Sequence, residues 1–359
     1  MPRTRTLRLE NITLDHVELA LHDALPRGGK TLERRRGVRV TLHDSSGLCG
    51  RGEALPLPSA GTEPMHDVAE ATLQTRQDLL QRTCTLEELL KRLEQRLRDL
   101  PATRCAFDVA AHDLEARVRG VPVAARLDPE PARRVEVNAL VGAHDPGVCV
   151  REAEQALLRG YRTLKLKLGN ASAATDVQRV QEVRAAVGPD VRLRVDANGA
   201  WSRDGALHIL ERIAPFAIEL AEQPTPPLAL DDLAWLHARS PVPVAADESL
   251  ATAAGRARLL TKDLASVAIV KPMVLGGLSP ALDLCRQAAA RGLRVVVTTT
   301  LDGPIATAAA LHLAAAGGSP TLAHGLASCE VVDADFPDAL VPRDGVLHLS
   351  PEPGLGDLG

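Results

Sequence analysis

A chain of 359 residues, 45% hydrophobic and 25% charged, is longer than one hydrophobic core usually organises, so either one large barrel or two domains is expected. A formal charge of −4, with no basic block beyond Glu33-Arg34-Arg35-Arg36, leaves no electrostatic footprint for nucleic acid, and three Phe, two Trp and one Tyr leave little for bases to stack on. No run approaches the ~20 apolar residues of a membrane helix and the Arg-rich N-terminus lacks the apolar core of a signal peptide, so a cytoplasmic protein with no membrane partner is expected.

The chain begins with antiparallel-strand alternation over 4–21 and 35–42, then turns helical over 65–100, where Leu, Glu, Gln and Arg recur at helical spacing. Pro26-Arg27-Gly28-Gly29 and Leu55-Pro56-Leu57-Pro58-Ser59-Ala60-Gly61 read as loops able to fold over a barrel mouth and set specificity. From about residue 135, short Val/Leu/Ile runs alternate with longer helical stretches, the pattern of parallel strands joined by helices. Strands are predicted at 135–141, 163–168, 192–195, 218–221, 242–245, 267–270, 295–298 and 320–323. Helices are predicted at 150–159, 174–187, 206–213, 230–238, 278–291 and 304–316. The fold class is therefore α/β: a TIM-like barrel over 126–324, preceded by an α+β cap over 1–125 that residues 325–359 complete. Within that tail, 346–349 is read as a short strand packing back on the cap, and Asp333-Ala334-Asp335 as a turn with a helix cap.

The six cysteines (Cys49, Cys84, Cys105, Cys149, Cys285, Cys329) are scattered without a Cys-x-x-Cys pair, so they read as small hydrophobes rather than zinc ligands or disulfides. The cations are more informative. Only Lys30, Lys91, Lys165, Lys167, Lys262 and Lys271 among 42 basic residues are lysines. Arginine stays protonated at any working pH, whereas a lysine amine can be desolvated into a base, so lysines in this background point to proton chemistry. Lys165, Lys167 and Lys271 sit in apolar strand-like runs.

Three consecutive predicted strands end in acids: Asp196-Ala197-Asn198, Glu222-Gln223-Pro224 and Asp247-Glu248-Ser249, 26 and 25 residues apart, about one βα unit each. Residues at strand C-termini face the common mouth of a barrel, so Asp196, Glu222 and Asp247 are expected side by side. Their repulsion calls for a cation, and all-oxygen ligation points to Mg²⁺, with Mn²⁺ the alternative. Lys165 and Lys167 share one face of the strand before Asp196, and Lys271 follows the strand after Asp247. A small-molecule carboxylate bound there has an amine on each face of its α-carbon, an arrangement suited to abstracting a weakly acidic proton. A homo-oligomer is compatible with the sequence, which does not specify one.

Thr163-Leu164-Lys165-Leu166-Lys167-Leu168-Gly169, Asp196-Ala197-Asn198-Gly199-Ala200-Trp201, Glu222-Gln223-Pro224, Asp247-Glu248-Ser249, Lys271-Pro272 and Gly276-Gly277 resemble the enolase superfamily, muconate lactonizing enzyme subgroup. Gly50-Arg51-Gly52-Glu53-Ala54 resembles the family's cap strand, and Pro353-Gly354-Leu355-Gly356 its ending. The resemblance implies a (β/α)₇β barrel capped from both termini. It also implies Asp196, Glu222 and Asp247 as metal ligands, Lys167 as general base, Lys165 as its electrostatic neighbour, and Lys271 as the cation or acid opposite. Val297-Thr298-Thr299-Thr300-Leu301-Asp302 and Ala323-His324-Gly325-Leu326-Ala327 look most like o-succinylbenzoate synthases of menaquinone biosynthesis, where dipeptide epimerases carry Asp-x-Asp at the eighth strand. The expectation is a lyase that removes an α-proton and eliminates water. An isomerase of the same subgroup (N-acylamino acid racemase or dipeptide epimerase, then muconate cycloisomerase) is the alternative. Asn198, Thr299, Thr300 and Asp302 are candidate substrate contacts.

Overall fold

The computed structural model describes residues 6–27, 30–261 and 263–358. The N-terminal strands are β1 (Thr6–Arg27), β2 (Lys30–Asp44), β3 (Cys49–Ala54) and β4 (Thr83–Thr85); helices α1 (Met65–Leu79), α2 (Leu86–Arg96), α3 (Pro101–Arg119) and α4 (Val123–Leu127) follow the same stretch. Strands β5 (Arg134–Glu136), β6 (Ala139–Val141), β7 (Thr163–Lys167), β8 (Arg192–Asp196), β9 (Ile218–Glu222), β10 (Val244–Ala246), β11 (Val267–Val270) and β12 (Arg294–Val297) come next. Between and after them lie α5 (Pro146–Leu158), α6 (Ala173–Val187), α7 (Arg203–Ile213), α8 (Leu230–His237), α9 (Ala253–Leu260), α10 (Pro272–Leu275), α11 (Leu278–Ala290) and α12 (Pro304–Gly317). The tail adds β13 (Val332–Asp333) and β14 (Val346–His348).

Strands β6 to β12 form one curled parallel sheet in sequence order. All four residues of β11 are buried, as expected of strands covered by helices outside and side chains inside. The interior is packed rather than open: Leu220, Ala245, Val267, Ile269, Val296 and Leu322 form one cluster. Arg194 crosses that interior to donate to the Ala323 carbonyl at 2.7 Å while pairing with Glu219 at 2.5 Å. Among the described residues, the eighth position holds a pair of bridges, Val137 to His324 and Thr298 to Gly325, in place of a full strand. Backbone bonds from His324 to Glu136 (2.7 Å) and from Gly325 to Val297 (2.9 Å) connect the two edges of the sheet there.

A second, antiparallel sheet runs β13-β1-β2-β3, with β4 on the far part of β1, so a strand from the tail joins strands from the start of the chain. Strand β3 lies directly on α3. A Cβ at Gly52 would stand 2.0 Å from the Ala106 carbonyl, so only glycine permits this approach. Glu53, in the same strand, is buried and accepts from the Ala306 N–H of α12 at 3.3 Å, tying β3 to a helix of the parallel sheet. Among the described residues, no helix is long and apolar enough to cross a membrane.

Several expectations are corrected. The strand expected over 135–141 divides into β5 and β6, because β5 pairs with β14 while β6 pairs with β7. The strand expected over 320–323 is absent, the closing bridges falling one residue later at His324 and Gly325. The tail strand β14 pairs β5 rather than the cap; it is the Leu355–Gly356 stretch that reaches α3, through Asp113 and Arg117. Asp333 sits in β13 and caps no helix. Strand β1 extends to Arg27, so Pro26 and Arg27 of the expected loop at 26–29 belong to a strand; Gly28 and Gly29 lie outside the described residues, as does Lys262. All six cysteines are free, with Cys105, Cys149 and Cys285 buried.

Candidate active site

At the C-terminal ends of β7 to β11, Lys165, Lys167, Asp196, Glu222 and Lys271 line one cavity of about 640 Å³, and Asp247 meets it through Lys271 rather than lining it. Asp196 pairs in register with Glu222 across β8 and β9, and Glu222 with Ala245 of β10, which sets Asp247 two residues beyond, just past the end of β10. The three carboxylates are 0–3% exposed. Burial disfavours their charge, yet the ammoniums of Lys165 and Lys167 hold Asp196 well below the usual carboxylate range. Burial, reinforced by the negative charge of Asp196, holds Glu222 above that range.

Each lysine meets these acids differently. Lys165 Nζ bridges Glu222 Oε1 at 2.6 Å and Asp196 Oδ2 at 2.9 Å. Burial disfavours its charge, but Asp196, Glu222 and Asp247 together outweigh burial and hold the ammonium above its ordinary range. Lys167 Nζ, two residues on and on the same face of β7, donates to Asp196 Oδ2 at 2.5 Å and Asn198 Oδ1 at 2.8 Å. Lys271 Nζ, at the end of β11, reaches Asp247 Oδ2 at 2.5 Å. Lys167 and Lys271 thus line one cavity from strands separated by β8, β9 and β10.

The strand ends are braced from behind. Gln223 and Asn198 adopt left-handed backbone (φ 37° and 45°), a strain typical of functional turns. Gln223 Oε1 accepts from the Asp247 and Ser249 N–H groups at 3.0 and 3.1 Å, and Asn198 Nδ2 donates to Glu248 Oε1 at 2.9 Å. Sequence reasoning passed over Gln223 and Glu248, although each adjoins a predicted ligand.

Of the candidate substrate contacts, Asn198, Thr299 and Thr300 line the cavity. Thr299 Oγ1 lies 2.9 Å from Ser328 Oγ, and Thr300 Oγ1 donates to Asp302 Oδ1 at 2.5 Å. Asp302 is buried behind the wall, where it also accepts from the Thr300 N–H at 2.9 Å; it does not line the cavity. The loop 55–61 does not line it either, because Leu57 and Ala60 pack against Val274. One face of α5 does: Val148, Arg151, Glu152 and Gln155 recur at helical spacing, joined by Arg159 just beyond. That spacing was readable in the sequence, but nothing there distinguishes a cavity wall from a solvent face.

The donor set suits a hard cation: buried carboxylates on neighbouring strands, all oxygen, with one acid perturbed by the charge of the next. In the present arrangement ammoniums stand against those carboxylates, and among the described residues no three His, Cys, Asp or Glu side chains form a ready cage.

Residues 148–357 match the family model described as enolase C-terminal domain-like. The chain belongs to the enolase superfamily. Its relatives fall in the muconate lactonizing enzyme-like subgroup. An L-Ala-D/L-Glu epimerase of Clostridium acetobutylicum is 27% identical over 97% of this chain and 98% of its own length. An o-succinylbenzoate synthase of Thermobifida fusca is 38% identical over 62% of this chain and 68% of its own. A muconate cycloisomerase of Rhodococcus opacus is 33% identical over 70% and 68%. Among solved structures, the dipeptide epimerase from Enterococcus faecalis complexed with Mg and the dipeptide L-Leu-L-Tyr superposes with a TM-score of 0.87 at 25% identity, covering 98% of this chain and 99% of that one. The superfamily expected from the motifs is therefore correct, but the preference for a lyase is not sustained, since relatives that span nearly the whole chain are epimerases while the o-succinylbenzoate synthase matches 62% of it.

Proposed function

We propose that this enolase-superfamily enzyme is an isomerase that inverts the carbon next to a carboxylate, as in racemisation of N-acylamino acids or epimerisation of dipeptides. The observation that carries this reading is the likeness to epimerases over nearly the whole chain, joined to the placement of Lys167 and Lys271 on one cavity at the ends of β7 and β11, each bonded to a different acid. An amine on one side removes the α-proton, and an ammonium on the other returns a proton to the opposite face. Lys165, held protonated by three carboxylates, supplies fixed positive charge rather than a mobile proton. Asp196, Glu222 and Asp247 would hold a divalent ion, Mg²⁺ or Mn²⁺, which supplies positive charge beside the substrate carboxylate. Asn198 orients Lys167 through its side-chain oxygen and is itself fixed by Glu248.

Dehydration to o-succinylbenzoate is the second reading. It is favoured by the higher identity to the Thermobifida fusca enzyme and by the residues following the last barrel position, where Gly325, Ala327 and Ser328 line the cavity and no paired acids stand. The two are separated by incubating the protein and Mg²⁺ with a panel of N-acylamino acids and dipeptides, analysed by chiral chromatography, beside a cyclohexadiene carboxylate followed in the ultraviolet. Inversion of a panel member supports the isomerase. Aromatisation without any inversion replaces it with the lyase.

A further inference from the structure

The wall of the cavity at Thr300 and Leu301 is shaped from outside by a buried arginine of the cap. Arg35, on β2, is 2% exposed, and its guanidinium reaches two parts of the molecule at once. On the cap side, Nη2 donates to the Leu55 carbonyl at 2.6 Å and Nη1 to the Pro56 carbonyl at 2.7 Å. On the barrel side, Nε donates to the Leu301 carbonyl at 3.2 Å, and Nη2 stands 3.8 Å from Asp302 Oδ1. Asp302 in turn holds Thr300 through both its N–H and its hydroxyl. The Leu55 N–H meets the Met273 sulfur at 3.4 Å, two residues beyond Lys271.

Two features separate this cluster from ordinary packing. Leu301 has φ 62°, a left-handed conformation that a leucine keeps only when its surroundings impose it, and its carbonyl is one of those Arg35 holds. A buried ion pair is also an expensive way to join two layers, because desolvation opposes the attraction, and apolar side chains would hold cap to barrel as well. What the charged version adds is direction: one rigid fork fixes three carbonyls.

We propose that Arg35 is a positioning residue that couples the cap to the cavity wall, setting the placement of Thr300 and Leu301 and through them which carboxylates the site accepts. The effect on turnover rests on the proton-transfer reading above; the coupling itself does not. The test uses the full-length protein as Arg35→Met, Arg35→Lys and Asp302→Asn, with KM and kcat measured for α-proton exchange in D₂O on the best substrate of the wild type. Amide hydrogen exchange is followed in parallel over 55–57 and 299–304. Loss of the fork should raise KM roughly tenfold in Arg35→Met while kcat stays within about threefold, as expected when a binding surface loses its preorganisation but the reacting groups keep theirs. Arg35→Lys should recover part of the difference, and amide protection should fall in both segments together.

Folded Arg35→Met and Asp302→Asn with wild-type KM would reduce the cluster to a structural joint and overturn the proposal. Should Arg35→Met fail to fold, Arg35→Lys and the near-isosteric Asp302→Asn decide by the same criterion. If the wild type exchanges no α-proton on any carboxylate, the proton-transfer reading falls. Exchange protection then decides the coupling alone: unchanged protection over 299–304 in Asp302→Asn, or in Arg35→Lys, overturns it.

Discussion

Lowering the pH from 7 to 5 should strip stability from the barrel through His324, the residue at its closing bridge. Its Nδ1 accepts from the Val297 N–H at 2.9 Å, and burial, reinforced by the charge of Arg194, pushes the imidazole from 6.5 down to about 3. A base whose folded value is depressed contributes stability that is present above the unfolded value and lost as pH falls below it. With the folded form still neutral at pH 5, each unit below 6.5 costs about 1.4 kcal/mol, so the step from 7 to 5 removes about 2 kcal/mol through this group. Glu53 pulls the other way. Burial raises its carboxyl from 4.5 to about 7, so the folded form gains relative stability as pH falls through that interval. The wild-type curve therefore mixes opposing slopes, and the comparison must be with a variant. His324→Asn keeps an acceptor for the Val297 N–H and removes the titration; any constant cost cancels in the difference. Urea unfolding followed by circular dichroism at both pH values should show the wild type losing about 2 kcal/mol more than the variant. Parallel curves would refute the claim that a neutral, buried imidazole helps close the barrel.

Three further outcomes follow from named contacts. Glu53→Gln should gain on the wild type by about 2.5 kcal/mol between pH 5 and pH 8, read from the same unfolding experiment, because the wild type alone must bury a charge as it passes 7. Gly52→Ala should destabilise by about 3 kcal/mol in a thermal or urea melt, since its methyl would fall 2.0 Å from the Ala106 carbonyl and β3 must lift off α3. Asp247→Asn should weaken Mg²⁺ binding by about a hundredfold in titration calorimetry, with the far-ultraviolet spectrum unchanged.

Much of the site was legible because its signals are local and repeated. Acids at 196, 222 and 247 recur at the βα period, so their convergence needed only the strand assignments, and the lysine scarcity marked Lys165, Lys167 and Lys271 as the cations to watch. Strand β11 falls at its predicted residues, and β7, β8 and β9 differ from prediction by one residue at the C-terminal end, because buried parallel strands are near-continuous apolar runs. What escaped depends on contacts distant in sequence. Residues 135–141 read as one strand, and only the partners β14 and β7 show where it breaks. Asp302 looked like a substrate contact because it follows a strand end; its role behind the wall becomes visible only with Arg35, 267 positions earlier, beside it. Helix α9 carries a weak apolar pattern and was not predicted, since packing against its neighbours rather than periodicity stabilises it. The choice between isomerase and lyase was weighed on the residues after β12, because the paired lysines serve both reactions and no local motif separates them; it is likeness along nearly the whole chain that favours the isomerase.

The central claim is that Lys167 and Lys271 act on opposite faces of one carbon. It is tested most directly by proton NMR of α-hydrogen exchange in D₂O, with each enantiomer of an N-acylamino acid offered separately to wild type, Lys167→Ala and Lys271→Ala. The account predicts exchange of both enantiomers by the wild type, loss for one enantiomer in the first variant and for its mirror image in the second. Exchange of both enantiomers surviving in either variant would contradict it.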